Sequence, residues 1–157
     1  MTEVRRILMA EDDPNDAELT LTALADYHLA NQVDVVRDGE QALAYLRRQG
    51  AWAGRPAGNP ALTLLDLKMP KVDGLEVLRA IKSDPALRTM PVVVLTSSRE
   101  ERDLVRSYEL GVNAYVVKPV DFTDLVEAVR QIGIFWAVIN QPPPARRAAG
   151  GDDGGRS

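Results

Sequence analysis

Polar side chains suited to metal and phosphate chemistry follow separate apolar runs of the sequence. Asp66 comes directly after the apolar run 62–65, and the pair Asp12 and Asp13 closes an earlier run. Lys118 closes the last run. If each run is a strand of one parallel sheet, these groups lie together beyond the carboxyl ends of the strands. Three carboxylates and one ammonium group in one place indicate a site for a divalent cation and a phosphoryl group.

The three carboxylates predict a bound Mg²⁺, or Mn²⁺ in its place. Two negative charges about 4 Å apart repel by about 4 kcal/mol at an effective dielectric constant of about 20, and a cation removes that cost. Mg²⁺ prefers oxygen ligands, whereas Zn²⁺ favours histidine and cysteine. Asp12, Asp13 and Asp66 are therefore the candidate ligands, and the backbone carbonyl of Lys68 is a candidate for a further one.

Asp66 is also the candidate phosphoacceptor, because carboxylates can form aspartyl-phosphate intermediates. A cation beside it would neutralise the incoming phosphoryl oxygens and align them for in-line attack. Lys118 offers a compact positive charge with three N–H donors. Thr96, at the end of another apolar run, offers a hydroxyl group to a phosphoryl oxygen.

The elements that position these residues alternate between strand and helix patterns. Helical spacing of apolar residues follows each short apolar run, and Pro14 and Gly39 are placed to begin helices. This repeat predicts an α/β fold, a doubly wound five-stranded parallel sheet of the flavodoxin-like type with strand order 2-1-3-4-5. The predicted strands are 7–10, 33–36, 62–65, 92–95 and 114–117, and a fourth helix is predicted around Leu104, Val105 and Tyr108.

The domain prediction is one unit over residues 1–140. Within it, 49–61 is predicted as a long loop because it is rich in glycine and proline, and the last helix is predicted to extend over about 122–139. Residues 141–157, which begin with a proline run and continue with glycine and charged residues, are predicted to be a disordered tail.

Composition excludes several functions. The 157-residue chain has a formal net charge of −4 and no basic stripe, which argues against nucleic acid as a partner. It has no cysteine and a single histidine, His28, so thiol chemistry is excluded and histidine catalysis is disfavoured. No signal-peptide pattern and no membrane-spanning apolar stretch is present, so we expect a soluble cytoplasmic protein.

Each candidate residue also has a purely structural explanation. Asp12 and Asp13 could cap a helix, and Asp66 could be a turn residue. Thr96 could belong to the cap of the next helix, and Lys118 could simply mark a strand end. These explanations require several independent coincidences at the correct strand ends, so we favour the functional interpretation.

A longer motif surrounds these residues. It comprises the acidic pair Asp12-Asp13, then Asp66 with Met69-Pro70 and Asp73-Gly74, then Thr96, then Tyr115 three residues before Lys118-Pro119. In this pattern the chain from about Val4 to Ile132 resembles the receiver domain of two-component response regulators, whose fold is also called CheY-like.

The resemblance implies the roles of the individual residues. It implies that Asp66 receives a phosphoryl group from the phosphohistidine of a sensor histidine kinase, and that Asp13 and Asp66 ligate Mg²⁺ directly while Asp12 assists through water. It also implies a switch in which Thr96 moves toward the phosphoryl group and Tyr115 swings inward. The helices on either side of the fifth strand then present a changed surface to a downstream protein. Such a domain catalyses only its own phosphorylation and dephosphorylation and is otherwise no enzyme.

Two features resemble the single-domain regulators that accompany phytochrome kinases, namely the long loop 49–61 and the apolar end of the last helix. At that end Phe135 and Ile139 share one helical face, whereas Trp136 lies on another. One small domain can cover only one of these faces, so we expect a homodimer interface there. The alternative is that the loop or the tail covers the second face.

Other functions fit less well. A phosphatase of the haloacid-dehalogenase type also uses an aspartate after a strand with Mg²⁺, but it needs a second acid where this chain has Lys68. A nucleotide-binding module would carry a glycine-rich loop after the first strand, which is missing. A transcription factor would need a DNA-binding domain, for which the segment after Ile139 is too short.

Overall fold

The computed structural model describes residues 6–25, 33–96, 112, 114–118 and 120–132. The strands are β1 (Ile7–Ala10), β2 (Val33–Val36), β3 (Leu62–Asp66), β4 (Val92–Thr96) and β5 (Ala114–Val117). The helices in this part of the chain are α1 (Pro14–Ala25), α2 (Gly39–Arg47), α3 (Gly74–Ser83) and α4 (Phe122–Ile132), with a short 3₁₀ turn at Gly50–Trp52.

The five strands form one parallel sheet in the order β2-β1-β3-β4-β5, which confirms the predicted fold class. Ala10 at the end of β1 pairs with Leu65 on one side and with Val36 on the other. Strands β3 and β4 are each one residue longer than predicted, so Asp66 and Thr96 are the last residues of strands and not the first residues of loops. The carboxyl ends of all five strands therefore meet at one edge.

Apolar residues cover both faces of the sheet. Every residue of β1, β3 and β4 is buried, as expected for inner strands of a sheet with helices on both sides. Helices α1 and α4 pack on one face, where they contribute Ala17, Leu24 and Leu125 to the core. Helices α2 and α3 pack on the other, with residues such as Leu46 and Ile81. The core thus holds the strand ends rigidly side by side.

Aspartates begin the helices that follow the first three strands. Asp38 Oδ1 accepts a hydrogen bond from the backbone N–H of Gln41 at 2.7 Å, and α2 begins at the next residue, as predicted. Asp73 caps α3 in the same way. Each cap satisfies a backbone donor that would otherwise lack a partner in the first turn.

Several predictions lie outside the described residues. They concern the helix around Leu104, the interface residues Phe135, Trp136 and Ile139, and the tail 141–157. The predicted last helix is described only as far as Ile132. Among the described residues, no helix is both long enough and apolar enough to cross a bilayer.

The predicted loop 49–61 is fixed to α2 by Arg55. Its guanidinium donates hydrogen bonds to the carbonyl oxygens of Tyr45 at 2.6 Å and Leu46 at 3.3 Å, both in the last turn of α2. It also donates to the carbonyl oxygens of Pro56 and Gly58, at 3.0 Å each, within the loop. The guanidinium carbon lies 4.3 Å from the centre of the Tyr45 ring, in cation–π contact. One side chain therefore caps the helix and shapes the loop.

Tyr45 extends this connection to the edge strand. Its hydroxyl donates a 2.6 Å hydrogen bond to Asp34 on β2, and Arg6 donates to the same carboxylate at 2.7 Å. Burial, together with the hydrogen bond to Asp34, raises the pKa of Tyr45 to about 12. The tyrosine is therefore a neutral hydrogen-bond donor at physiological pH.

We predict that Arg55→Ala lowers the free energy of unfolding by about 2 kcal/mol, because several helix and loop carbonyls lose a charged donor. Urea unfolding followed by circular dichroism measures the change. Arg47→Ala removes an exposed arginine from helix α2, to which Arg55 is bonded, and should cost at most about 0.5 kcal/mol. Equal losses in the two variants would contradict the role given to Arg55.

Candidate functional site

Asp66 lies at the centre of the edge where the strands end. It is the last residue of β3, between β1 and β4, and it is only 4% exposed. Gly74, the first residue of α3, packs directly on its backbone, since a Cβ atom on this glycine would collide with the carbonyl oxygen of Asp66. The N–H of Gly74 also donates to the carbonyl oxygen of Leu67 at 2.8 Å. The backbone around Asp66 is therefore tightly held.

Two further carboxylates follow β1. Glu11 is fully buried, and its backbone N–H donates to the carbonyl oxygen of Val36 at 3.0 Å. Glu11, Asp12 and Asp66 each offer a carboxylate oxygen, and these oxygens all lie within 4.8 Å of one another. Asp12 is exposed to solvent, whereas the other two are buried. This arrangement brings together two of the three predicted metal ligands.

Asp13 has a different position from the one that sequence reasoning assumed. Its Oδ1 accepts hydrogen bonds from the backbone N–H groups of Asn15 at 2.8 Å and Asp16 at 3.2 Å, which makes it the cap of α1. The group of three acidic residues contains Glu11 in its place. Glu11 could have been recognised from the sequence, because it is the first carboxylate after the apolar run and because aspartate before proline is typical of a helix start.

Lys118 crosses from the end of β5 to the acidic residues, as predicted. Its Nζ lies 2.7 Å from Glu11 Oε1, 3.0 Å from Asp16 Oδ2 and 3.3 Å from Asp66 Oδ2. The side chain is 7% exposed, and its backbone N–H donates to the carbonyl oxygen of Thr96 at 2.7 Å. One ammonium group thus pairs with three carboxylates.

Asp16 was missed by sequence reasoning. It belongs to the first turn of α1 and is separated from Lys118 by 102 positions in the sequence. An aspartate in the first turn of a helix is common because it favours the helix dipole, so nothing in the local pattern indicated a second role.

The charges at the site change the acidity of both central groups. Burial, and next the negative charge of Glu11, raise the pKa of Asp66 to about 7, although Lys118 acts against this shift. Burial on its own would lower the pKa of Lys118, but hydrogen bonds to Glu11 and Asp16 and the charge of Asp66 raise it above its ordinary value. Lys118 is therefore a permanent positive charge, whereas Asp66 titrates near neutral pH.

The other predicted site residues surround this centre. Thr96, 1% exposed, ends the neighbouring strand β4, and Tyr115 is half-buried on β5 against the apolar residues of the α2–α3 face. The backbone N–H of Lys68 donates to Asp66 Oδ1 at 3.3 Å. Beside them lies an open cleft of about 630 Å³, lined by Asp12, Leu67, Lys68, Met69, Pro70, Asp73 and Leu75. The cleft opens to solvent and is bordered by Asp12, the exposed member of the three grouped carboxylates.

The acidic residues fit a hard divalent cation. They supply oxygen atoms only, and one of them faces solvent, as suits Mg²⁺, which retains several waters. Burial, and next the negative charge of Glu11, raise the pKa of Asp66, so its ionised form is unfavourable at this position. A cation would favour the ionised form.

The chain belongs to the response regulator receiver domain family, since the family model matches residues 7–130. Response regulator Rcp1 of Synechocystis sp. is 43% identical over 130 residues, which are 83% of this chain and 87% of that protein. The structure of the bacteriophytochrome response regulator RtBRR is 60% identical, with a TM-score of 0.80 over 90% of this chain and 86% of that one. The Mn²⁺-bound form of Rcp1 is 41% identical, with a TM-score of 0.71 over 90% of this chain and 99% of that one.

These comparisons confirm the family predicted from the motif and favour a phosphoacceptor role in signalling over the phosphatase alternative. Receiver domains bind Mg²⁺ or Mn²⁺ at an acidic pocket, which agrees with the predicted cofactor.

The raised pKa of Asp66 predicts a pH-dependent stability in the absence of divalent cations. The folded protein holds this proton up to a pH of about 7, whereas the ordinary pKa is 3.8, so the free energy of unfolding should fall as the pH rises through this interval. Asp66→Asn should remove this dependence and, at pH near 8 in a chelator, be roughly 2 kcal/mol more stable than the unsubstituted protein. Urea unfolding across this pH range measures both effects.

Glu76→Gln is the matched control, because it removes an exposed carboxylate from the first turn of α3. It should keep the pH dependence of the unsubstituted protein. If Asp66→Asn kept it as well, the titrating group would be another residue.

Proposed function

We propose that this chain is a response regulator that accepts a phosphoryl group on Asp66 from a sensor histidine kinase and signals by a conformational switch and protein–protein contact. The observation that carries the proposal is the ion pair between Lys118 Nζ and Asp66 Oδ2 at 3.3 Å, beside the oxygens of Glu11 and Asp12. A buried carboxylate, a fixed ammonium group and an acidic pair are the groups that phosphoryl transfer to aspartate requires.

The acidic pair that holds the cation is, in our proposal, Glu11 and Asp12, together with Asp66 and the backbone carbonyl of Lys68. Asp13 is not part of it, because its carboxylate already accepts two hydrogen bonds in the cap of α1. A bound Mg²⁺ or Mn²⁺ supplies charge neutralisation for the carboxylates and for phosphoryl oxygens.

In the transfer step an Oδ atom of Asp66 forms a bond to phosphorus while the P–N bond to the donor histidine breaks and its electron pair returns to the imidazole nitrogen. Asp66 must be ionised to attack, and its pKa of about 7 in the cation-free protein shows that this charge is costly there. Lys118 donates N–H groups to the phosphoryl oxygens. Tight packing of Gly74 against the Asp66 backbone keeps the nucleophile in place.

The switch in this proposal uses Thr96 and Tyr115. Thr96 ends the strand beside Asp66, so its hydroxyl has a short path to a phosphoryl group on that residue. Tyr115 follows inward as the threonine moves. Lys118 directly follows its strand, β5. Thr96 and Tyr115 would therefore transmit the state of Asp66 to the same part of the surface.

The partners follow from the relatives. Because Rcp1-type and bacteriophytochrome regulators are similar over most of this chain, we propose a phytochrome as the sensor kinase and an unknown protein as the downstream target. A homodimer formed through Phe135, Trp136 and Ile139, and a cytoplasmic location, remain predictions from the sequence. We further propose that the chain catalyses no reaction other than its own phosphorylation and dephosphorylation.

The revised metal ligands can be tested with paired variants. Because a ligand that binds only the native state stabilises it, millimolar Mg²⁺ should raise the melting temperature of the unsubstituted protein by roughly 2–4 °C for each 1 kcal/mol of binding free energy gained. Asp13→Asn, which keeps a good helix cap, should retain this increase. Glu11→Gln should lose most of it, as measured by differential scanning calorimetry with and without Mg²⁺. The opposite pattern would return the ligand role to Asp13.

The phosphoacceptor is tested by labelling. We expect acetyl phosphate with Mg²⁺ to add one phosphoryl group to the protein, seen by intact-protein mass spectrometry, and Asp66→Asn to abolish it because the nucleophile is lost. Asp73→Asn changes an exposed aspartate of the adjoining loop, keeps a residue able to cap α3, and should still be labelled. Undiminished labelling of Asp66→Asn would refute the proposed function.

A further inference from the structure

Asp16 contacts the central lysine without belonging to the acidic group that would hold the cation. Its Oδ2 accepts a 3.0 Å hydrogen bond from Lys118 Nζ, and the Asp16 side chain is 30% exposed. The group of oxygens within 4.8 Å of one another comprises Glu11, Asp12 and Asp66. Asp16 therefore approaches the ammonium group from the α1 side.

The position of Asp16 is well defined by its helix. Its backbone N–H donates to Asp13 Oδ1 at 3.2 Å, and its carbonyl oxygen accepts a 3.0 Å hydrogen bond from the hydroxyl of Thr20. The first turn of a helix also favours a negative charge. Asp16 thus offers Lys118 a fixed and favourable acceptor that does not depend on a cation or a phosphoryl group.

Three carboxylates lie within ion-pair distance of the lysine's ammonium group, and the contact with Asp16 is a hydrogen bond. Lys118 Nζ lies closer to Glu11 and Asp16 than to Asp66, at 2.7 and 3.0 Å against 3.3 Å. A phosphoryl group on Asp66 brings new anionic oxygens that need the same donors. Because Asp66 loses its own charge when it bonds to phosphorus, these oxygens compete for the ammonium group with Glu11 and Asp16.

We propose that Asp16 is a positioning residue that competes with the phosphoryl group for Lys118 and thereby lowers the affinity of the site for that group. This inference rests on the proposed function and goes beyond it, because it assigns a regulatory role to a helix residue outside the phosphoacceptor and the metal ligands. Asp16 is the contact to be given up because it is partly exposed, so water can replace the lysine at its carboxylate. The buried carboxylate of Glu11 has no such replacement.

The experiment uses beryllofluoride, which mimics a phosphoryl group by bonding reversibly to a carboxylate oxygen, so that an equilibrium is measured. Isothermal titration calorimetry at saturating Mg²⁺ gives its dissociation constant. Asp16→Asn removes the charge with little change of shape and should tighten binding by about threefold to fivefold, as expected for the loss of a partly exposed ion pair.

Two variants separate this effect from general electrostatics and from structural damage. Glu18→Gln removes one negative charge from an exposed position of the same helix and should leave the dissociation constant unchanged. Asp16→Glu keeps the carboxylate and should bind within about twofold of the unsubstituted protein. Circular dichroism and urea unfolding check that each variant is folded.

Unchanged binding by Asp16→Asn would overturn the inference. Weaker binding would also overturn it, because it would show that Asp16 helps Lys118 to reach the ligand. Equal tightening by Glu18→Gln would also overturn it, because the effect would then come from net charge. If the unsubstituted protein did not bind beryllofluoride in the presence of Mg²⁺, the proposed function itself would fail, and the inference with it.

Discussion

The pairing of one buried ammonium group with three carboxylates is the interaction on which the rest of this site depends. Glu11 and Asp66 are almost completely buried, and two such charges would repel strongly without Lys118 between them. Lys118 lies within salt-bridge distance of both, and its side chain is itself 7% exposed. The fold can therefore hold an acidic centre in its interior, although the raised pKa of Asp66 shows that the compensation is incomplete.

The parallel sheet makes this pairing possible. Register places Ala10 beside Leu65 and Thr96 beside Val117, so Glu11, Asp66, Thr96 and Lys118 lie at one edge. Glu11, Asp66 and Lys118 each lie at or directly after a strand end that the core holds, and Asp16 joins them from the first turn of α1. Loop 49–61 is held at the end of α2 by Arg55.

The sequence was sufficient to predict the strands, the strand order and the positions of Asp66 and Lys118, because short apolar runs followed by polar residues depend on local pattern. It was insufficient where a shift of one position in the sequence decides which residue belongs to the site. In the run from Glu11 to Asp13, the choice between cap and acidic pair depends on where α1 begins, and the buried glutamate was overlooked. The contact of Asp16 with the site could not be predicted from the neighbouring sequence, because its partner, Lys118, lies 102 positions away.

The site also has fewer positive than negative charges among the groups described above. Glu11, Asp16 and Asp66 lie within 3.3 Å of the ammonium group of Lys118, and Asp12 lies beside two of them. Among these five groups, even a divalent cation leaves one negative charge uncompensated. A phosphoryl group would therefore enter a centre that still repels it, and it could be held only by redistributing the contacts of Lys118. A site with a surplus of positive charge would bind phosphate tightly whatever the state of its partner. A deficit makes occupancy depend on a competent phosphoryl donor, as a reversible signal requires.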